Sequence, residues 1–245
     1  MNKTLIHNAI IVNEGERYKG FVVIEDDRIS KIGRGEAPAQ LLNEGIVIHD
    51  AEGAYLLPGC IDDQVHFRDP GLTHKADMAT ESRAAVAGGV TSFMDMPNTI
   101  PQTITLEALE DKHRRAEEVS VANYSFYIGA TNDNIDTLLA CDYSKVPGVK
   151  LFLGASTGNM LVDNNEALNR IFAEVPTLIA IHSEDEDIIR RNKEEMIARY
   201  GEDVPVEEHP NIRSVEACYK STEKAVYSSP PETTSVPIFS HFTIL

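Results

Sequence analysis

Cysteine is scarce in this sequence, with only Cys60, Cys141 and Cys218 in 245 residues. An odd number at long spacings makes neither a disulfide framework nor a zinc-ribbon pattern, and it suits a reducing cytoplasm. Positive charge is also short: 22 Lys and Arg stand against 39 Asp and Glu, a formal net charge of -17. Phosphate-rich partners need clustered basic residues, so this balance argues against a nucleic-acid or anionic-membrane surface. A small anionic substrate stays open, because one or two local cations suffice to bind it. No apolar run approaches a membrane span, and Asn2-Lys3-Thr4 after Met1 opens no signal-peptide core. No repeat of fixed period is present either. What remains is a soluble cytoplasmic chain whose 42% hydrophobic content can build a real core. Its length suits one large domain, with or without a small appendage.

Residues 1–57 read as all-β. Thr4–Val12, Phe21–Ile24, Arg28–Gly33 and Ile46–Ala51 are strand patterns separated by Gly and acidic turns. Four short strands bury little alone, so this unit should lean on something larger.

From Gly59 the texture changes to strand-helix alternation. The expected strands are Ile61–Phe67, Thr91–Met96, Asn123–Gly129, Val149–Leu153, Thr177–His182 and Val236–Phe242. The expected helices are Asp77–Ala87, Thr105–Ser120, Asn165–Ala173, Glu184–Tyr200 and Ser214–Val226. Such alternation points to an α/β class with a parallel sheet of the TIM-barrel type. It supplies about six strands where a closed barrel has eight. The Pro-, Ser- and Thr-rich stretch from Tyr227 to Pro237 reads as loop or disorder.

The chemistry-bearing stretch is Pro58–Gly71, a strand that breaks into a loop carrying His66 and Arg68 with the adjacent acids Asp62 and Asp63. Polar groups on a buried strand need partners, and a metal with an anionic ligand at the strand's C-terminal end would supply them. A surface hairpin is the plainer alternative. His66 shares a face with Gln64, and imidazole is a good zinc ligand whereas Gln is a poor one. His182 ends the run Leu178–Ile181 and leads into acids that also suit a helix N-terminus. Lys150 has apolar neighbours on both sides, so burial must neutralise or pair it. Carbamoylation by CO2 is one route, and snorkelling to the strand end is another. Arg68 can hold a carboxylate bidentately, or pair with Asp62, Asp63 or Asp69. Asn98 follows Pro97 as either a ligand-binding amide or a turn residue. Gly154-Ala155-Ser156-Thr157-Gly158 allows close approach of a ligand without the phosphate-loop lysine pattern. Gln64, His66, Arg68, Asn98, Lys150, His182 and His241 all fall in strands or just past their ends, where a barrel gathers them on one rim.

These residues carry a resemblance to the dihydroorotases of the amidohydrolase superfamily, from about Thr4 to Val226. It rests on Pro58-Gly59-Cys60-Ile61-Asp62, His66-Phe67-Arg68-Asp69-Pro70-Gly71, Gly88-Gly89-Val90-Thr91, Met96-Pro97-Asn98-Thr99, Val149-Lys150-Leu151-Phe152 and His182-Ser183-Glu184-Asp185. The Arg68 and Asn98 motifs are those of dihydroorotase-like members, and the His182 motif is shared with hydantoinases and allantoinases. The resemblance implies a (β/α)8 barrel with a small β-sandwich, divided here into 1–57 for the sandwich portion and 58–245 for a partial metal-dependent hydrolase barrel. It implies one or two zinc ions, bridged by carboxylated Lys150, with His66, His182 and His241 as further metal ligands. Arg68 and Asn98 would bind the carboxylate of dihydroorotate, which the enzyme interconverts with N-carbamoyl-aspartate in pyrimidine synthesis. A homodimer or a complex with aspartate carbamoyltransferase is the implied assembly.

Three departures accompany it. Gln64-Val65-His66 replaces the family's His-x-His, which allows a mononuclear site. The sequence after about Val226 ceases to match, although His241 falls near the expected distance. The proton-shuttling Asp of a late strand has no counterpart, so no catalytic residue is expected within this chain, which should be inactive as it stands. Two other functions compete: a non-catalytic structural partner, which Gln64 favours, and a hydantoinase or allantoinase, which Arg68 disfavours.

Overall fold

The structure is a computed structural model describing residues 2–43, 45–154, 160–228 and 237–239. The chain divides into two compact units, Met1–Cys60 and Ile61–Leu245.

The first unit holds β1 (Lys3–Asn13), β2 (Glu16–Glu25), β3 (Arg28–Arg34), β4 (Val47–Asp50) and β5 (Tyr55–Leu56). They form one five-stranded sheet in the order β3-β2-β1-β4, with β5 also pairing β1. The β1–β2 register slips between Ile6 and Ala9, where Asn8 adopts φ 54°, a left-handed conformation that Asn tolerates well. A one-residue slip moves alternate side chains to the other face. Accordingly Leu5 packs with Phe21 and Val23, whereas Ala9 and Ile11 pack with Val22.

The second unit alternates strands and helices. Its elements are β6 (Cys60–Val65), α1 (Met78–Ala87), β7 (Val90–Asp95), α2 (Leu106–Val119), β8 (Asn123–Phe126), β9 (Ile128–Gly129) and α3 (Ile135–Leu139). There follow β10 (Val149–Phe152), α4 (Asn165–Glu174), β11 (Ile179–His182), α5 (Glu186–Tyr200), α6 (His209–Ile212), α7 (Val215–Ser228) and β12 (Pro237–Phe239). Side chains cap the helix starts: Asp77 accepts from Thr80 N, Thr105 from Ala108 N, Asn164 from Ala167 N and Asp185 from Ile188 N. Each such cap is worth about 1 kcal/mol.

The strands fall in two sheets, β6-β7-β8 and β12-β11-β10-β9. Pairing is parallel for β7 with β8 and throughout the second sheet. One segment joins them, because β8 and β9 are separated only by Tyr127, whose N–H donates to Asp95 O at 3.1 Å. The chain therefore pairs with β7 up to Phe126 and with β10 from Ile128 onward. Among the described residues the strands do not close into a barrel.

The two faces of β10 and β11 differ. Val149, Leu151, Ile179 and Ile181 enter the main core with Leu168, Ile171 and Phe172 of α4. Those α4 spacings of three and four place one apolar stripe against the sheet, each buried side chain contributing about 2 kcal/mol. On the opposite face, Ala180 packs with Met96 and Tyr127. Lys150, Phe152 and His182 share that opposite face, since side chains alternate along a strand and Phe152 pairs with His182.

Several short elements were not legible from the pattern. The two-residue β5 and the short α3 and α6 give no measurable periodicity. The last helix runs two residues past Val226, so Tyr227 and Ser228, read as the start of a loop, are helical. Residues 229–236, Ala155–Gly158 of the small-residue stretch, and His241 lie outside the described residues.

Candidate functional site

His66 follows the last residue of β6, and Asn98 lies three residues past β7. His66 Nδ1 and Asn98 Oδ1 are 2.9 Å apart. An amide oxygen can only accept, so the proton belongs on Nδ1 and the Nε2 lone pair is left available. The His66 residue is exposed, but partial desolvation of its ring lowers its pKa below the usual value, and the Asn98 bond opposes that shift. The charges of Arg68 and Lys150 also lower it, which places both cations within electrostatic reach of the ring.

Arg68 sits at φ 61°, a conformation that non-glycine residues rarely adopt. Its backbone carbonyl accepts from Leu72 N at 3.0 Å. Among the described residues its guanidinium makes no hydrogen bond or ion pair. Two of the three carboxylates that could have paired with it are bonded elsewhere: Asp62 Oδ1 accepts from Gln64 N, and Asp69 Oδ2 accepts from Arg115 Nε at 3.3 Å.

Lys150 is buried, with its Nζ 5.2 Å from the Phe152 ring centroid. Burial pushes its pKa down to about 8. At neutral pH roughly a tenth of such an amine is uncharged, against well under a thousandth for an ordinary lysine. It does not reach bulk solvent by snorkelling, since its residue is 1% exposed.

His182 ends β11 with its ring 5.8 Å from that of Phe152. Its Nε2 lies 2.9 Å from Glu184 Oε2, and Arg213 Nε donates to Glu184 Oε1 at 2.9 Å. Burial would raise the Glu184 carboxyl, but the bonds from His182 and Arg213 outweigh it and hold the group at about 2. Gly154 lets the Glu184 backbone pass close by, because a Cβ there would lie 1.9 Å from Glu184 O.

The structure thus brings His66, Asn98, Arg68 and Lys150 to one neighbourhood, and sets Lys150 and His182 on one face of adjacent strands. Among the described residues, no three His, Cys, Asp or Glu side chains cluster to hold a metal. Sequence reasoning missed Asp95 and Lys112, which form an ion pair at 2.6 Å with both side chains fully buried. The signal was available in Phe93-Met94-Asp95-Met96, where a carboxylate in an apolar strand demands a partner. It also missed Arg213, which nothing in the local pattern marks.

Residues 53–153 match the family described as dihydro-orotase-like. The chain is 35% identical over 225 residues to a dihydroorotase of Methanosarcina acetivorans, covering 90% of this chain and 45% of that one. It is 34% identical over 197 residues to an allantoinase of Solibacter usitatus, covering 78% of this chain and 42% of that one. The solved L-hydantoinase of Arthrobacter aurescens superposes with a TM-score of 0.88 at 23% identity, over 99% of this chain and 53% of that one. The chain therefore spans about half the length of these relatives.

Proposed function

Because this chain belongs to the dihydroorotase-like family of the amidohydrolase superfamily, we propose that it serves the interconversion of dihydroorotate and N-carbamoyl-aspartate, as a cytoplasmic metal-dependent cyclic amidohydrolase. The observation that carries the substrate is Arg68, a guanidinium with no protein partner among the described residues beside the His66–Asn98 pair. Dihydroorotate presents a ring carboxylate that such a guanidinium binds bidentately. Asn98 spends its oxygen on His66, so its amide N–H groups remain to donate to the same carboxylate.

The donor chemistry fits zinc, with His66 Nε2 available and a second imidazole at His182. A carbamoylated Lys150 would add carboxylate oxygens, and its depressed pKa provides the neutral amine that reacts with CO2. Zinc at this place would supply Lewis-acid activation of water and of the ring carbonyl. Asn98 fixes the tautomer and orientation of His66 through Nδ1. Glu184, itself held by Arg213, does the same for His182. One zinc ion or two, and a role for His241, belong to the same proposal, as do a homodimer or a complex with aspartate carbamoyltransferase. The unit Ile61–Leu245 is then about six strands of a (β/α)8 barrel, and Met1–Cys60 a portion of its β-sandwich.

A hydantoin or allantoin substrate is the second reading, favoured by the allantoinase relative and the hydantoinase fold. Those rings lack the carboxylate that Arg68 would bind. Titration calorimetry with dihydroorotate, hydantoin and allantoin separates the readings, with zinc content and native intact mass measured alongside. We expect zinc, a mass increase of one CO2 lost in Lys150→Met, and preference for dihydroorotate. Arg68→Gln should weaken dihydroorotate binding about ten- to a hundredfold. Equal binding of hydantoin, or no effect of Arg68→Gln, overturns the assignment. A zinc-free chain that binds no ring favours the non-catalytic partner instead.

A further inference from the structure

Helix α2 carries two cations one turn apart, Lys112 and Arg115, and each reaches a different buried carboxylate. Lys112 Nζ pairs with Asp95 Oδ2 at 2.6 Å and donates to Met96 O at 2.9 Å. The other oxygen, Asp95 Oδ1, accepts from Phe67 N at 3.0 Å. Arg115 Nε donates to Asp69 Oδ2 at 3.3 Å, and that oxygen also accepts from Met78 N at 3.2 Å. Arg68 lies between Phe67 and Asp69, so both of its neighbours are tied through a carboxylate to the same helix.

This arrangement has a cost that a purely structural contact would avoid. A fully buried ion pair loses hydration on both partners, and well-packed hydrocarbon often serves stability as well or better. The left-handed backbone at Arg68 is likewise unfavourable by about 1 kcal/mol and persists only where its surroundings impose it. The two costs meet at one point. Asp95 holds the amide before Arg68, and Asp69 follows it with a side chain that is nearly buried. Lys112 also donates to the carbonyl of Met96, two residues before Asn98.

We propose that Lys112 and Arg115 are positioning residues that hold the Phe67–Asp69 segment, and thereby aim the Arg68 guanidinium at the carboxylate of the ring substrate. The identity of that substrate rests on the dihydroorotase reading; the positioning of Arg68 does not.

Two measurements on the same chain separate these parts. Backbone amide exchange across residues 66–78 reads the segment itself, and calorimetry with dihydroorotate reads its consequence. Arg115 is 41% exposed at its side chain, so Arg115→Met removes the tie without opening the core. It should accelerate exchange over that segment about tenfold, leave β10 and β11 unchanged, and weaken dihydroorotate binding by about tenfold or more. Arg115→Lys should recover most of both. The double variant Asp95→Leu with Lys112→Met replaces the buried pair by hydrocarbon. It should remain folded, yet exchange faster over the segment, because Phe67 N loses its acceptor. Unchanged exchange over residues 66–78 in both variants overturns the proposal. If the parent chain binds no dihydroorotate, the substrate reading fails, and the exchange data alone still decide the role of the two cations.

Discussion

His66 Nδ1 and Asn98 Oδ1 stand 2.9 Å apart, so the ends of two neighbouring strands are joined at the side chains that the family motifs single out. Partial desolvation lowers the His66 pKa, and the Asn98 oxygen raises it by favouring the protonated ring. Asn98→Ala should therefore lower the His66 pKa further below its ordinary 6.5. An NMR titration of the ring carbons measures this directly, and a rise in pKa would contradict the assigned bond. The neutral ring in the folded state also binds fewer protons than the unfolded chain just below that ordinary value. Stability from this group should consequently fall as the pH drops below 6.5.

Lys150 gives the opposite end of the pH scale. Its folded-state pKa of about 8 lies below the ordinary 10.5. Between those values the unfolded lysine keeps its proton while the folded one has lost it. The unfolded state then binds more protons, and stability rises with pH through that window. The gain should be of order 2 kcal/mol and should vanish in Lys150→Met. Urea unfolding in CO2-free buffers from pH 7 to about pH 10 tests it; identical slopes in the two proteins would show that Lys150 is not the source.

The buried Asp95–Lys112 pair makes a prediction about single and double replacement. Removing either partner leaves a lone charge in the core, which costs about 3–5 kcal/mol. Lys112→Met and Asp95→Leu should each lower the denaturation midpoint strongly, whereas the double variant should recover much of the loss. Simple additivity of the two single effects would mean that the residues are not coupled.

Gly154→Ala should destabilise the second unit by about 1–3 kcal/mol. The new methyl would lie 1.9 Å from Glu184 O, so the chain after β11 has to move. The His182 ring, bonded to Glu184, should report that movement as a changed NMR shift. A wild-type His182 spectrum in this variant would contradict the close approach.

Much of this arrangement was legible in residue order. The strands Val149–Phe152 and Ile179–His182 are short apolar runs, the first interrupted by Lys150 and the second ending in His182, and α4 shows an Asn164 cap and an apolar stripe. His66 and Lys150 stood out because each is polar in a strand expected to be buried, and Asn98 because it follows Pro97 at a strand end and offers both a donor and an acceptor. Lys112 did not, since it lies in Glu110-Asp111-Lys112-His113-Arg114-Arg115, which looks like a solvated helix face. Which residue of a charged run turns inward depends on where the helix docks, and that is fixed by tertiary packing. Arg213 was hidden for the same reason, being 29 positions from its carboxylate Glu184.

The backbone at Arg68, with φ 61°, is one that glycine adopts freely. Arg68→Gly would relieve the conformation and delete the guanidinium in one step. A laboratory selection for thermal resistance alone would therefore be drawn toward losing the residue on which ligand recognition is proposed to rest. A selection that also demands binding would keep it, and the distance between the two evolved populations at this codon would measure how much folding stability the site gives up for recognition.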